Sequence, residues 1–302
     1  MIFLSLVGLL FIRIPSVQTH LVNRFTVQIN QNFETDIKVE GVSVGFDGAV
    51  NLNSFFIADH HSDTLFYAKK FKTDLYSLRQ WVNGNLFFST TQFENVFLKI
   101  IEYEGEENNS LFEFYNKFLV HEETENYPPV FIRIDDLNVT EGNLLIIDKK
   151  NDKKLFQSEG LNLRAKDFYI INEGLDVSIK NLRFNSKEYG NLNLFETNLH
   201  YSPCNIDINS FRVSSGKSEI AGMMNIFLPK GGFSDFKDKA QINLEIKSFL
   251  RREQLKYFID LPENSQPIDL KISGSGTPNN FNFSNIEVEQ EVIKLSAKLF
   301  IK

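Results

Sequence analysis

Residues 241–247 read Gln-Ile-Asn-Leu-Glu-Ile-Lys, apolar at Ile242, Leu244 and Ile246 and polar in between. Side chains of a strand alternate between the two faces of a sheet, so this stretch makes a strand with one apolar face and one wet face. The pattern recurs along the chain. Ile37 and Val39 alternate with Lys38 and Glu40, and Val42, Val44 and Phe46 with Ser43, Gly45 and Asp47. Val96, Leu98 and Ile100 follow Phe93, and Ile132 and Ile134 flank Arg133. Leu161 and Leu163, Val177 and Ile179, Leu182 and Phe184, Leu192 and Leu194, Ile206 and Ile208, Leu270 and Ile272, and Ile286 and Val288 repeat it. Turn pairs lie between the runs: Asp47-Gly48, Glu141-Gly142-Asn143, Asn151-Asp152, Glu173-Gly174, Tyr189-Gly190-Asn191 and Ser215-Gly216. Half-buried antiparallel strands spaced by such turns define a mostly β protein. Alternation does not say which face points inward, and a one-residue slip would exchange the faces.

Composition narrows the function. The 302 residues are 42% hydrophobic and 24% charged, enough to bury a core, with a net charge of -7. A cationic surface for phosphate contact is therefore not expected, nor a nucleic-acid partner. Cys204 is the one cysteine, so no intrachain disulfide forms, and the sequence reads it as a small, half-buried hydrophobe. Phe is abundant at 30 residues against 9 Tyr and 1 Trp. A Phe-lined, acidic binding or scaffold protein fits these numbers better than an enzyme.

Few segments carry chemistry. Asp59-His60-His61-Ser62-Asp63 holds ligand-type side chains, but adjacent ligands need others from elsewhere in the chain. Between the strand-like runs 52–58 and 64–68 it reads as a hairpin turn. Ser273-Gly274-Ser275-Gly276-Thr277 has the composition of a phosphate loop without its Gly-Lys-Ser/Thr ending, and reads as a strand-to-strand loop. The carboxylate pairs Asp135-Asp136 and Glu122-Glu123 read as surface charge, and the stretches 102–109 and 122–129 as solvated loops. Sequons stand at Asn108, Asn138 and Asn282. No catalytic residue, metal or cofactor is expected.

Three short helices are expected beside the sheet. Asp74–Val82 has a plausible N-cap, Ser110 with Glu113 makes a capping box, and Ser248–Ile259 precedes Pro262. At the N-terminus, Met1–Ile12 is apolar but shorter than the ~20 residues that span a bilayer. It reads as the C-terminal part of an uncleaved membrane anchor that begins upstream, with a signal peptide or a buried helix as alternatives. After Pro15, Val17, Leu21, Phe25, Ile29 and Phe33 recur every fourth residue, one apolar row on an amphipathic helix. The expected organisation is a partial anchor over 1–14, a helix over 15–33 that caps the apolar sheet, and a β region over 34–302 with a soft boundary near 128. The alternation continues through Leu295, Ala297, Leu299 and Ile301. The last strand is therefore expected to seek a partner in a continuation of the chain or on another chain.

A sheet this long must hide its apolar face by closing, by oligomerising, or by holding apolar ligand. Acyl chains need apolar area and no hydrogen bonds. The inward set read from alternation is Val42, Val44, Phe46, Ile132, Ile134, Leu144, Ile146, Ile242 and Leu244.

Ile14-Pro15-Ser16-Val17-Gln18-Thr19, leading into the amphipathic helix, resembles the segment after the membrane anchor of TamB-like proteins of the Gram-negative envelope. The order of elements over 39–100, with its Asp-Gly and Asp-His-His-Ser-Asp-Thr turns, is similar to the N-terminal region of the branch found in the Bacteroidota. IRIDDLNVTEGNLLIID (132–148), INSFRVSSGKSEIAGMMNIFL (208–228) and residues 268–301 look like repeats of the wider AsmA-like superfamily. The resemblance implies a long antiparallel open β-groove, taco-shaped, held in the periplasm by an inner-membrane anchor. It implies no catalytic residue. It implies phospholipid carriage between the membranes, or assembly of outer-membrane proteins, with a TamA-type outer-membrane barrel as partner through a C-terminal region not in this sequence.

Overall fold

The computed structural model describes residues 23, 26–27, 30–31, 33–45, 49–75, 85–119, 131–171, 174–229, 235–260, 262–290 and 293–301. Two compact units divide the chain, Met1–Asn162 and Leu163–Lys302. Strands dominate both, as alternation predicts.

In the first unit, β1 (Asp36–Glu40), β2 (Ser43–Val44), β3 (Ala49–Leu52), β4 (Ser54–Ala58), β5 (Thr64–Leu75) and β6 (Asn85–Glu102) pair antiparallel. A helix α1 (Ser110–Leu119) follows, and then β7 (Phe131–Asp148) runs parallel to β6. Parallel neighbours need a long crossover, and the connection that carries α1 supplies it. The next strand, β8 (Lys153–Ile171), runs from the first unit into the second.

Helical residues at 23, 26, 27, 30, 31 and 33 agree with the predicted N-terminal helix. Its Asn30 amide works as an edge cover. Asn30 Nδ2 donates to the Ile37 carbonyl at 2.8 Å, and Oδ1 accepts from the Ile37 N–H at 2.9 Å. A side-chain amide offers both N–H donors and a carbonyl acceptor, so it satisfies the backbone N–H and C=O of Ile37 on β1.

The second unit is a regular meander. Strands β9 (Gly174–Ser186), β10 (Gly190–Ser202), β11 (Asn205–Ser215), β12 (Ser218–Phe227), β13 (Gln241–Leu250), β14 (Ile268–Thr277), β15 (Asn280–Gln290) and β16 (Ile293–Ile301) each pair antiparallel with the next. One-turn helices α2 (Phe236–Lys239) and α3 (Arg252–Leu255) sit in its connections. Among the described residues, no helix is long and apolar enough to cross a membrane.

Several local expectations change. Glu141-Gly142-Asn143 is no turn: it lies inside β7, where Glu141 takes a positive φ of 54°. Asp74 and Leu75 complete β5, and 76–84 lie outside the described residues. The predicted helix Ser248–Ile259 shrinks to α3, because Ser248–Leu250 pair as strand with Leu270–Ile268. The cap of α1 is Asn109, whose Oδ1 accepts from Leu111 N and Phe112 N, while Ser110 Oγ accepts from Ile101 N of β6. The Ser-Gly-Ser-Gly-Thr segment is the end of β14, where its glycines make room for the Phe281 ring and for the backbone of β15. A Cβ on Gly274 would lie 2.6 Å from the Phe281 ring. Cys204 is exposed in the β10–β11 turn, not half-buried, because the turn lifts it off both strands.

Candidate functional site

The predicted groove residues fall into separate environments. Val42 is fully buried with Val39 and Leu52, and Val44, Val50, Phe55 and Phe71 pack against them. Beside this small core lies a cluster of half-buried Phe rings. Phe71 and Phe93 are cross-strand partners with ring centroids 4.9 Å apart, and Phe66 meets Phe93 at 5.6 Å and Phe55 at 5.9 Å. Phe93 and Leu98, the partner of Phe66, therefore share a face although five residues separate them. Strict alternation would place them on opposite faces. The positive φ of Asn95 (53°) resets the pleat. By the register of β7 on β6, Val139 and Leu144 lie beside Phe93 and Leu98, with the positive φ of Glu141 at the level of Asn95.

Ile132 and Ile134 stand opposite Leu86 and Phe88, and Leu144 and Ile146 opposite Leu98 and Ile100. Phe46, Val17, Leu21, Phe25 and Ile29 lie outside the described residues, while Phe33 is helical and half-buried.

Ile242 and Leu244 lie in a different kind of surface. In the second unit, Val177, Leu199, Ile208, Met224, Leu244, Gly274, Phe283 and Leu299 are successive cross-strand partners over all eight strands. Beside that rung, Leu175, Tyr201, Ile206, Ile226, Ile242, Gly276 and Phe281 form another. A third joins Gly222, Ile246, Ile272, Ile286 and Ala297. These rungs carry no charge. Around Ile242, a cluster with Ile226, Leu228 and Ala240 is buried, and Phe236 of α2 packs on it. Toward the edge the face opens: Leu295 is 60% and Leu299 49% exposed. Bulges let the rungs run straight. One at Ser284 shifts the β14–β15 register, so that Phe281 and Phe283 share a face with Ile286 and Val288.

The opposite face is polar. Lys271 pairs with Glu287 at 3.4 Å, and Arg212 with Glu219 at 3.0 Å. The Asn285 amide, then Lys271, hold the Glu287 carboxyl below its ordinary range. A depression of about 450 Å³ opens among Met223, Glu245, Lys247, Lys271, Ser273 and Asn285 on this side.

A third arrangement was not foreseen. The β4–β5 turn carries His60 and His61, and Glu106 from the loop before α1 reaches both. His60 Nε2 lies 2.7 Å from Glu106 Oε2, and His61 Nε2 lies 2.7 Å from Oε1. Buried Asp59 builds the turn: its Oδ1 accepts from His61 N and Asp63 N, and its Oδ2 accepts from Tyr103 OH at 2.7 Å. The Tyr103 ring lies against His61 with centroids 3.9 Å apart. Burial, then the bond to Asp59, push the Tyr103 hydroxyl pKa up, so it stays a donor. Lys99 donates to both oxygens of Asp63 and, ahead of burial, lowers that carboxyl's pKa. The sequence reads 59–63 as a hairpin turn, which it is. Glu106 stands in an acidic stretch read as solvated loop, 45 residues from His61. No spacing rule links the two; the antiparallel register of β5 on β6 does.

No family model matches the chain, and no curated protein matches it.

Proposed function

We propose that the chain is a non-enzymatic envelope protein of TamB type, which shields phospholipid acyl chains on an apolar β surface between inner and outer membranes. The observation that carries this reading is the set of uncharged rungs across β9–β16, open toward the β16 edge. An acyl chain asks a surface for apolar area, at about 25 cal/mol per Å² removed from water, and for no polar partner. Rungs of Leu, Ile, Met and Phe supply that area, and the glycines at 222, 274 and 276 keep it low in relief. The inner-membrane anchor, the periplasmic placement and the TamA-type barrel partner rest on the family resemblance and belong to the same reading.

Native mass spectrometry of the purified chain, with extraction and identification of bound lipid, tests it. Copurified phospholipid that is lost in a folded Leu244→Asp variant supports lipid carriage. A lipid-free, stable monomer refutes it.

A second reading is favoured by the edge itself. Strand β16 pairs on one side only among the described residues, and Leu295 and Leu299 on it are exposed. Such an edge can accept a client strand by main-chain pairing, as an assembly scaffold would. Photo-crosslinkers along β16 that capture polypeptide, with none captured by lipid-facing positions, would favour the scaffold.

A further inference from the structure

We propose that His60 Nε2, His61 Nε2 and the Glu106 carboxylate form a three-ligand site for a divalent transition-metal ion of the Zn²⁺ class. All three ligand atoms lie within 4.8 Å of one another. Consecutive side chains of an extended strand point to opposite faces. Here both imidazoles converge on one carboxylate, because the turn holds them so. Ser62 takes a positive φ of 64°, Ser62 N donates to the Asp59 carbonyl, and Asp59 N donates to the Asp63 carbonyl. The Asp59 side chain ties His61 N, Asp63 N and Tyr103 OH together beneath them. Gly105, with φ of 80°, turns the opposing loop so that Glu106 faces the pair.

Zinc bonds to His nitrogen and carboxylate oxygen run about 2.0–2.2 Å, which sets tetrahedral ligand atoms roughly 3.3 Å apart. The nitrogen–oxygen separations of 2.7 Å, each to a different Glu106 oxygen, need to open by about half an ångström, and the widest of the ligand-atom separations, within 4.8 Å, to close by about 1.5 Å, shifts that side-chain rotation supplies at an exposed turn. An imidazole that ligates through Nε2 presents its lone pair there and carries its proton on Nδ1. Local charge favours a cation: Lys99 and Lys149 pair with Asp63, while Asp59 and Glu106, with Glu104 and Glu107 flanking Glu106 in sequence, add further carboxylates. Two nitrogens and one oxygen suit zinc better than calcium or magnesium, which take oxygen ligands. The ligands are exposed, so a fourth position is open to water or to a group from a partner. Metal here would clamp the β4–β5 turn to the loop ahead of α1.

Titration of Zn²⁺ into the full, chelator-stripped chain by calorimetry tests the proposal, with Co²⁺ absorption reporting the geometry. One equivalent should bind in the micromolar range or tighter, and Co²⁺ should give intense tetrahedral bands. Glu106→Gln, which keeps a hydrogen-bonding side chain, and His61→Ala should each weaken binding by about tenfold or more with an unchanged circular-dichroism spectrum. His200→Ala removes an exposed His paired with Asp176 in the second unit and should leave binding unchanged. Absence of binding to the native chain overturns the site. So does binding that survives both ligand variants, which would make the trio a hydrogen-bonded cluster only.

Discussion

The two units turn one sequence pattern into two kinds of surface. In the first, a small core forms in which Val39, Val42 and Leu52 lose nearly all contact with water, and the half-buried rings of Phe55, Phe66, Phe71 and Phe93 lie against one another beside it. In the second, the rungs run across eight strands and most of their members stay half-buried. The difference lies in what interrupts the pleat. Positive φ at Asn95 brings aromatic residues from both sides of a kink onto one face, where they cluster. The second unit uses glycines within the rungs, which flatten the face without filling it. Alternation thus reports that a face is apolar, and not whether protein covers it.

The largest test of this contrast is one substitution made in both units. Val42→Asp puts an unpaired carboxylate where the side chain is 1% exposed, and should cost on the order of 3 kcal/mol or more. Leu244→Asp, on the half-open rung, should cost about 1 kcal/mol and leave a folded chain. Urea unfolding followed by circular dichroism measures both, and equal losses would erase the distinction between the units.

The flat rungs can be tested next. A Cβ on Gly222 would lie 2.1 Å from the Glu245 carbonyl oxygen, a backbone atom that cannot step aside. Gly222→Val should therefore part β12 from β13 at a cost of about 2 kcal/mol, read as a lowered Tm. An unchanged Tm would mean that the close approach does not matter to the sheet.

A smaller loss is expected at the first unit's helix junction. Ser110→Ala removes the acceptor of the buried Ile101 N–H and should cost roughly 1–2 kcal/mol. Were Ser110 merely a helix cap, Ser110→Asn would preserve stability. With Asn109 already the cap, it should not.

The smallest effect is electrostatic and belongs to the polar face of the second unit. The Asn285 bond and then Lys271 depress the Glu287 pKa, so their contribution is present above the ordinary Glu pKa and fades as pH falls through the folded value. Lys271→Met should move the Glu287 pKa up toward its ordinary value in an NMR titration. A value that does not move would assign the whole depression to Asn285.

Much of the architecture was legible because strand periodicity is a local signal. Thirteen-residue β9 and its neighbours follow the alternation read from Val177, Ile179, Leu182 and Phe184. The turn pairs Asn151-Asp152, Tyr189-Gly190 and Ser215-Gly216 mark strand junctions as predicted, with Gly190 opening β10 and Ser215 closing β11. The misreadings share one cause. Gly142 and the Ser-Gly-Ser-Gly segment have turn composition, yet they sit inside strands beside residues that need the space: Leu161 lies close to Gly142, and Phe281 to Gly274. Composition cannot reveal which neighbour a strand will acquire. Val42 and Leu244 were read as members of one apolar set, yet they differ in burial for reasons that lie in other strands.

The sequence by itself determined that this chain is β-rich, acidic and apolar on alternate positions, because those properties depend on residues one or two apart. It also determined that His60 and His61 share a turn. Only the tertiary structure decided that Glu106 meets both, that β7 runs parallel to β6, and that Val42 is buried while Leu244 stays half-exposed. Register between distant strands sets each of these outcomes. Register comes from the summed packing of whole faces, a quantity that no short stretch of sequence contains.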